Sequence, residues 1–353
     1  MRSCTWRPSG QRGAILIFPG VEELDFVGGN STDEMVTIRL MREEDADAVR
    51  RVDAAAFGAW WRQLMGEAAE LPQRTRRNVL ALLEKDPEGC FVAEDDGRVV
   101  GLIFSRTWGG VGWFGTFAVL PECQGRGIGK RLIAASLEYL RRDTDRVIGL
   151  ETMPESPYNL GLYLRQGFQA RFPTFLLSKD LEPSAGGDVG IPCWSRADDG
   201  TRERWLAELR EATGQIHPRL DYTKEIVSTA RHSLGETLVL TEGGKAIGLS
   251  IAWLTSSREG WGEGSVSVQV LALHPARTGE GTFRALLDAT EALARAHGKR
   301  ELTLPVNGSH AWALERLLEW DYRVERAMVR MVLKGTDEGP SVDHCVDLSR
   351  WAG

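Results

Sequence analysis

The sequence is poor in residues that would build a metal centre or a disulfide framework. Five cysteines are spread over 353 residues with no C-x-x-C pair, and six histidines form no H-E-x-x-H or similar motif. These absences argue against zinc and structural disulfides and for a reducing, cytoplasmic setting. No apolar run approaches the roughly 18 residues of a membrane span. Ala14–Phe18 is apolar, but Pro19 stops it and no A-x-A-like site follows, so it does not read as a signal peptide. Positive charge is not in excess either: 43 Lys and Arg face 50 Asp and Glu, for a net charge of −7. That balance argues against a general nucleic-acid or acidic-membrane binder, while an acidic surface tolerates a cationic amine. Twelve tryptophans are many, but they are scattered and form no repeating box.

What is present is a strand, a glycine loop and a helix. The β-like run Phe114–Leu120 stops at Pro121, and Gln124-Gly125-Arg126-Gly127-Ile128-Gly129-Lys130 leads into an amphipathic segment. A loop of this kind exposes backbone N–H groups at the positive end of a helix dipole, where phosphate binds. A dinucleotide G-x-G-x-x-G would need glycine where Lys130 stands. A G-x-x-x-x-G-K-[ST] loop would need glycine at Gln124 and a hydroxyl residue at Arg131. What remains is Q-G-x-G-x-G. Further on, Asn159–Phe168 carries Tyr163-x-x-x-Gly167-Phe168.

These two motifs, in this order and at this distance, resemble the acetyl-CoA loop and the late helix of the GNAT N-acetyltransferase superfamily. The resemblance implies acetyl-CoA as co-substrate, no metal, and an amine acceptor on a small molecule or peptide. It implies an α+β fold and a monomer or homodimer.

The chain also repeats itself weakly. Asp96-Gly97 and Gly243-Gly244 sit in similar hairpins. Ala118-Val119-Leu120-Pro121 matches Ala272-Leu273-His274-Pro275 at an offset of 154, and Gly167-Phe168 matches Asp321-Tyr322 at the same offset. The expected plan is two tandem GNAT-like domains, each a mixed, mostly antiparallel sheet flanked by helices. Residues 35–182 form the acetyl-CoA-binding copy, 183–189 a linker, 190–335 a degenerate copy and 336–353 a tail. Residues 1–34 read as a loosely ordered extension, with Met35 a candidate translation start. In the second copy Thr278, Glu280, Phe283 and Arg284 replace Gln124, Arg126, Gly129 and Lys130, and Leu317 replaces Tyr163. A carboxylate and a phenyl ring there oppose phosphate binding.

Within the first copy, hairpin strands are expected over 90–95 and 98–108, helices over 43–57, 75–84 and 127–142, and a strand at Phe172–Ser178 that closes the sheet. By the resemblance, N–H groups of Gly125, Arg126, Gly127, Ile128, Gly129 and Lys130 hold pyrophosphate. Ala118 and Val119 line the pantetheine arm, the Val119 N–H polarises the thioester carbonyl, and Gln124 and Asn159 contact the cofactor. Tyr163 matches the tyrosine that protonates the leaving thiolate; the alternative is a core tyrosine. In Val147–Met153 the alternation puts Glu151 opposite Ile148, Leu150 and Thr152. Glu151 is then a candidate base or a paired strand carboxylate. Ser156 stands where many relatives carry asparagine. Trp60, Trp61, Trp108 and Trp113 are candidates to line an acceptor pocket or to serve as core. Two other readings stay open: an acyl-CoA-binding sensor without turnover, and a pseudo-symmetric scaffold whose ligand sits on the second copy.

Overall fold

Two hairpins carry turn pairs whose backbones only a few residue types adopt readily. Asp96 and Gly97 have φ of 47° and 73°, and Gly243 and Gly244 have φ of 59° and 83°. Left-handed values at both central positions match the right-handed twist of the flanking strands. The computed structural model describes residues 36–351 apart from 69, 72, 183–188, 256–263, 337 and 339–343. The expected extension 1–34 and nearly all of the expected linker lie outside the described residues.

The first copy runs β1 (Val36–Leu40), α1 (Ala46–Met65), α2 (Arg76–Lys85), β2 (Cys90–Asp95), β3 (Arg98–Trp108), β4 (Val111–Val119), α3 (Ile128–Leu140), β5 (Val147–Thr152), α4 (Pro157–Arg165), β6 (Phe168–Ala170) and β7 (Thr174–Asp180). The second runs α5 (Asp199–Gly214), α6 (Thr223–Arg231), β8 (Gly235–Glu242), β9 (Lys245–Trp253), β10 (Ser265–Leu273), α7 (Glu280–Ala296), β11 (Glu301–Asn307), α8 (Ala311–Glu319) and β12 (Arg323–Leu333). A short strand, β13 (Asp347–Ser349), follows within the segment expected as a tail. The offset of 154 maps β4 onto β10, β5 onto β11 and α4 onto α8.

Local chemistry accounts for several boundaries. Thr75 caps α2: its Oγ1 accepts from the Asn78 N–H at 3.1 Å, and Asn78 Oδ1 accepts from the Thr75 N–H at 3.2 Å. In α3 the buried residues Ile128, Leu132, Ile133, Ser136, Leu137 and Leu140 recur at helical spacing. The helix lies on β2, β3 and β4.

The expectation that Phe172–Ser178 closes the first copy's own sheet is corrected. All thirteen strands form one sheet whose centre runs β5-β12-β7-β11. The last strand of each copy sits between the two halves: β12 pairs with β5 over Val329–Val332, and β7 pairs with β11 over its full length. Pro173 lacks an N–H and separates β6 from β7, whereas the matching Ala327 lets β12 run on unbroken. The apolar run Phe175–Leu177 marks a strand but carries no information about which neighbour it pairs with.

The halves also share polar anchors. Lys85 Nζ lies 2.7 Å from Glu225 Oε2 with both side chains buried, and the Trp108 Nε1–H donates to Glu225 Oε1 at 3.0 Å. Lys224 Nζ donates to Asp86 at 2.9 Å and to Thr107 Oγ1 at 2.8 Å.

Candidate active site

The central geometric feature is a parting of two parallel strands. β4 and β5 pair only from Val111–Trp113 to Val147–Gly149. Beyond Trp113, β4 keeps its ladder to β3 through Val119, while β5 runs on without β4, paired along its opposite edge with β12. Ala118 and Val119 therefore lie on a β4 edge that β5 has left.

At the end of β4 the Gln124 side-chain amide donates to the Val119 carbonyl at 3.1 Å and fixes the start of the loop. Gly125 and Gly127 have φ of 81° and 76°, and a Cβ at either would meet nothing within 4 Å. Glycine is required here by backbone conformation, not by crowding, and the space over both residues is open. Gly127 precedes α3, so the N–H groups of Ile128, Gly129 and Lys130 form its open first turn. Lys130 and Arg131 are exposed and have no acidic partner among the described residues. Arg126 differs: its Nη1 lies 2.6 Å from Asp95 Oδ2, so its charge is already matched. Asn159 is half-buried in the first turn of α4, and its N–H donates to Ser156 Oγ at 3.4 Å. The open glycines, the helix terminus and the two unmatched cations fit a pyrophosphate.

Tyr163 is 5% exposed on α4, its ring 6.0 Å from Phe114 and 6.2 Å from Phe168. Burial pushes its phenol above the usual tyrosine range. Tyr163, Ile148 and Leu150 share one core cluster, whereas Val147 and Trp113 belong to another. Strand alternation puts Glu151 with Val147, on the face away from Tyr163. The two expected catalytic groups thus stand on opposite faces of β5.

Glu151 is not a free carboxylate. Its Oε1 accepts from Thr174 Oγ1 at 2.5 Å and from Arg330 Nη2 and Nε at 3.0 and 3.1 Å. These donors come from β7 and β12, so one oxygen ties three strands together. Oε2 makes no further hydrogen bond among the described residues. The Arg330 guanidinium also reaches Glu338 at 2.8 Å and lies 5.1 Å from the Trp113 ring and 4.5 Å from that of Trp351. A Cβ at Gly149 would fall 2.3 Å from the Trp113 ring, so only glycine lets the indole lie against β5.

Trp108 and Trp60 face Arg106 and Arg326. With Trp113 over Arg330, three of the four singled-out tryptophans cover the protein's own cations. Trp61 is buried in van der Waals reach of Trp60, with ring centroids 6.1 Å apart.

Sequence reasoning missed Arg330 and Thr174, because they reach Glu151 only through the strand exchange, and Trp351, which meets the site by lying on the Arg330 guanidinium. It also missed His310, at the start of α8. Its Nδ1 is buried without a hydrogen-bond partner among the described residues, and burial, aided by the charge of Arg330, holds the ring at about 4 and hence neutral. No local signal marks it.

The matching loop of the second copy is built differently. Gly279 is extended, with φ of −163°. Thr282 Oγ1 accepts from the Gly279 N–H at 3.0 Å and so occupies the start of α7. Phe283 is fully buried against Trp312 and Trp320. Glu280 lies 3.6 Å from Arg316, and Arg284 is paired with Asp288 at 2.8 Å.

Strand order, parting and loop together define an acetyltransferase fold in two copies. Residues 52–168 match the Acetyltransferase (GNAT) family. The chain is 30% identical over 168 residues to an uncharacterized N-acetyltransferase of Methanocaldococcus jannaschii, covering 99% of that protein and 44% of this one. It belongs to the GNAT acetyltransferase family. It is also 30% identical over 167 residues to a mycothiol acetyltransferase of Cellulomonas flavigena, with 44% of this chain and 42% of that protein covered, so the match spans less than half of that relative. The GCN5-related N-acetyltransferase of Sphaerobacter thermophilus superposes with a TM-score of 0.58 at 18% identity, covering 88% of this chain and 98% of that one, and shows the shared fold.

Proposed function

We propose that the protein transfers an acetyl group from acetyl-CoA to the amine of a small molecule or peptide, and that the first copy carries the reaction. The observation that carries this reading is the parting of β4 from β5, directly beside an open glycine loop that only the first copy retains. Bound acetyl-CoA supplies the acetyl group as an activated thioester. Gly125 to Lys130 hold its pyrophosphate by backbone N–H groups, with Lys130 and Arg131 adding charge. The free edge at Ala118 and Val119 receives the pantetheine arm. The Val119 N–H stabilises oxyanion charge, a role worth about 3 kcal/mol per donor. Tyr163 keeps its proton until a thiolate forms beside it.

The acceptor amine approaches from the face that carries Glu151. Oε2 is the carboxylate oxygen left to receive a proton, directly or through water, while Arg330 and Thr174 hold Oε1. Asn159 contacts the cofactor from the first turn of α4. The second copy keeps the scaffold without the cofactor loop, and contributes Arg330, His310 and Trp351 to the acceptor side.

Titration calorimetry with acetyl-CoA should give a stoichiometry near one per chain. Gly127→Glu, which places bulk and negative charge on an open left-handed position, should abolish that binding. A stoichiometry near two, or binding that survives Gly127→Glu, would assign the cofactor elsewhere. A sensor without turnover would bind with the same stoichiometry but release no thiol with any amine.

A further inference from the structure

The two copies part their strands in the same way and fill the parting differently. β10 and β11 pair only from Ser265–Ser267 to Glu301–Thr303, as β4 and β5 do at the matching positions. In the second copy the edge exposed by that parting is covered by β13. Val270 faces Ser349, Leu271 faces Leu348 and Ala272 faces Asp347, in antiparallel register. Two more bonds extend the ladder: the Leu273 N–H donates to the Val346 carbonyl at 3.1 Å, and the Arg350 N–H to the Gln269 carbonyl at 2.8 Å.

The offset of 154 equates Val270–Leu273 with Thr116–Val119. Both copies show the same alternation of N–H direction. The Leu120 N–H donates back to Val100 at 2.9 Å, and the matching His274 N–H donates back to Ile247 at 2.8 Å. The preceding residue in each case, Val119 or Leu273, therefore turns its N–H the other way, into the parting. In the first copy that N–H is the proposed oxyanion donor. In the second, a carbonyl of the chain itself already occupies it.

Both faces of β13 are anchored. Val346 and Leu348 are fully buried in the second copy's core. The Tyr222 hydroxyl donates to the Asp347 carboxylate at 3.0 Å, and the Trp351 Nε1–H donates to the same hydroxyl at 3.0 Å. This seats Trp351 on Arg330.

We propose that Val346–Ser349 is a permanently tethered occupant of the second copy's cofactor cleft, in which a peptide strand takes the place of an acyl-pantetheine arm. The proposal rests on reading the first copy's parting as the acyl-CoA cleft. The chemistry is the same in kind: a pantetheine arm presents amide groups to a strand edge, and so does a peptide. Tethering gives the strand a high effective concentration that a free ligand must overcome. The second copy is thus closed twice, by its altered loop and by its own C-terminal strand.

The test is amide hydrogen exchange read residue by residue on the full chain, with and without acetyl-CoA. In the free protein the Leu273 N–H should exchange at least about 100-fold more slowly than the Val119 N–H. Acetyl-CoA should slow Val119 roughly tenfold or more and leave Leu273 within about twofold. Leu348→Ala, with overall fold followed by circular dichroism, should speed Leu273 while leaving Val119 unchanged. Leu273 exchanging as fast as Val119, or gaining protection from acetyl-CoA, would overturn the proposal. A slow Leu273 with no acetyl-CoA effect at Val119 would support a permanent strand but overturn the acetyl-CoA reading of the first copy.

Discussion

Tyr163→Phe is expected to lower kcat by roughly 10²–10⁴-fold while acetyl-CoA affinity changes little. The substitution keeps the ring, and with it the contacts to Phe114 and Phe168. No hydrogen bond of the hydroxyl holds the fold among the described residues, so stability should barely move. Burial raises the phenol, which keeps it protonated at physiological pH. A raised phenol is a poor acid against an exposed thiolate. A thiolate expelled into the same apolar surroundings is raised too, and this narrows the gap between donor and acceptor. Steady-state kinetics decide the role. A loss confined to KM would make the hydroxyl a positioning group, and unchanged kinetics would leave Tyr163 as packing.

The second large effect concerns stability. Arg330→Met should cost about 3–5 kcal/mol, because it strands two carboxylates at a buried junction. Arg330 and Glu151 are 6% and 3% exposed as side chains, so solvent screens the pair little. Removing both charges together, as Arg330→Met with Glu151→Gln, should recover much of the loss, since desolvation of an unpaired ion is the larger part of it. Denaturant unfolding of the two single variants and the double variant measures this. Nearly additive losses would mean that the pair is not coupled. The position of the pair explains the size of the effect: Glu151 is on β5, Arg330 on β12, and Thr174 begins β7, so one junction holds both copies.

The first copy's elements were legible because their signals are local. The turn pair Asp96-Gly97, the proline that ends the run at Leu120, and the helical spacing of Ile128, Leu132 and Leu137 each act over a few residues. The duplication was legible too, since Ala118–Pro121 and Gly167-Phe168 both recur at the same offset of 154. The direction of Glu151 followed from strand alternation. Its partner did not, because Arg330 lies 179 residues away and meets it only through β12. The strand exchange was illegible for the same reason. A short apolar strand such as Thr174–Asp180 can add to either half, and the choice is made by which edge it meets. The tryptophans were ambiguous in sequence because one ring can line a pocket or cover a cation. Trp113 and Trp351 cover Arg330. β13 was hidden by its length of three residues, too short to show periodicity.

The most direct measurement is thiol release from acetyl-CoA by the full chain across a panel of amines, including amino acids, polyamines, peptide N-termini and thiol-bearing amines. The account predicts amine-dependent thiol release with at least one acceptor, lost with Gly127→Glu and sharply reduced with Tyr163→Phe. Tight acetyl-CoA binding with no thiol release for any amine, or release that both substitutions leave intact, would contradict it.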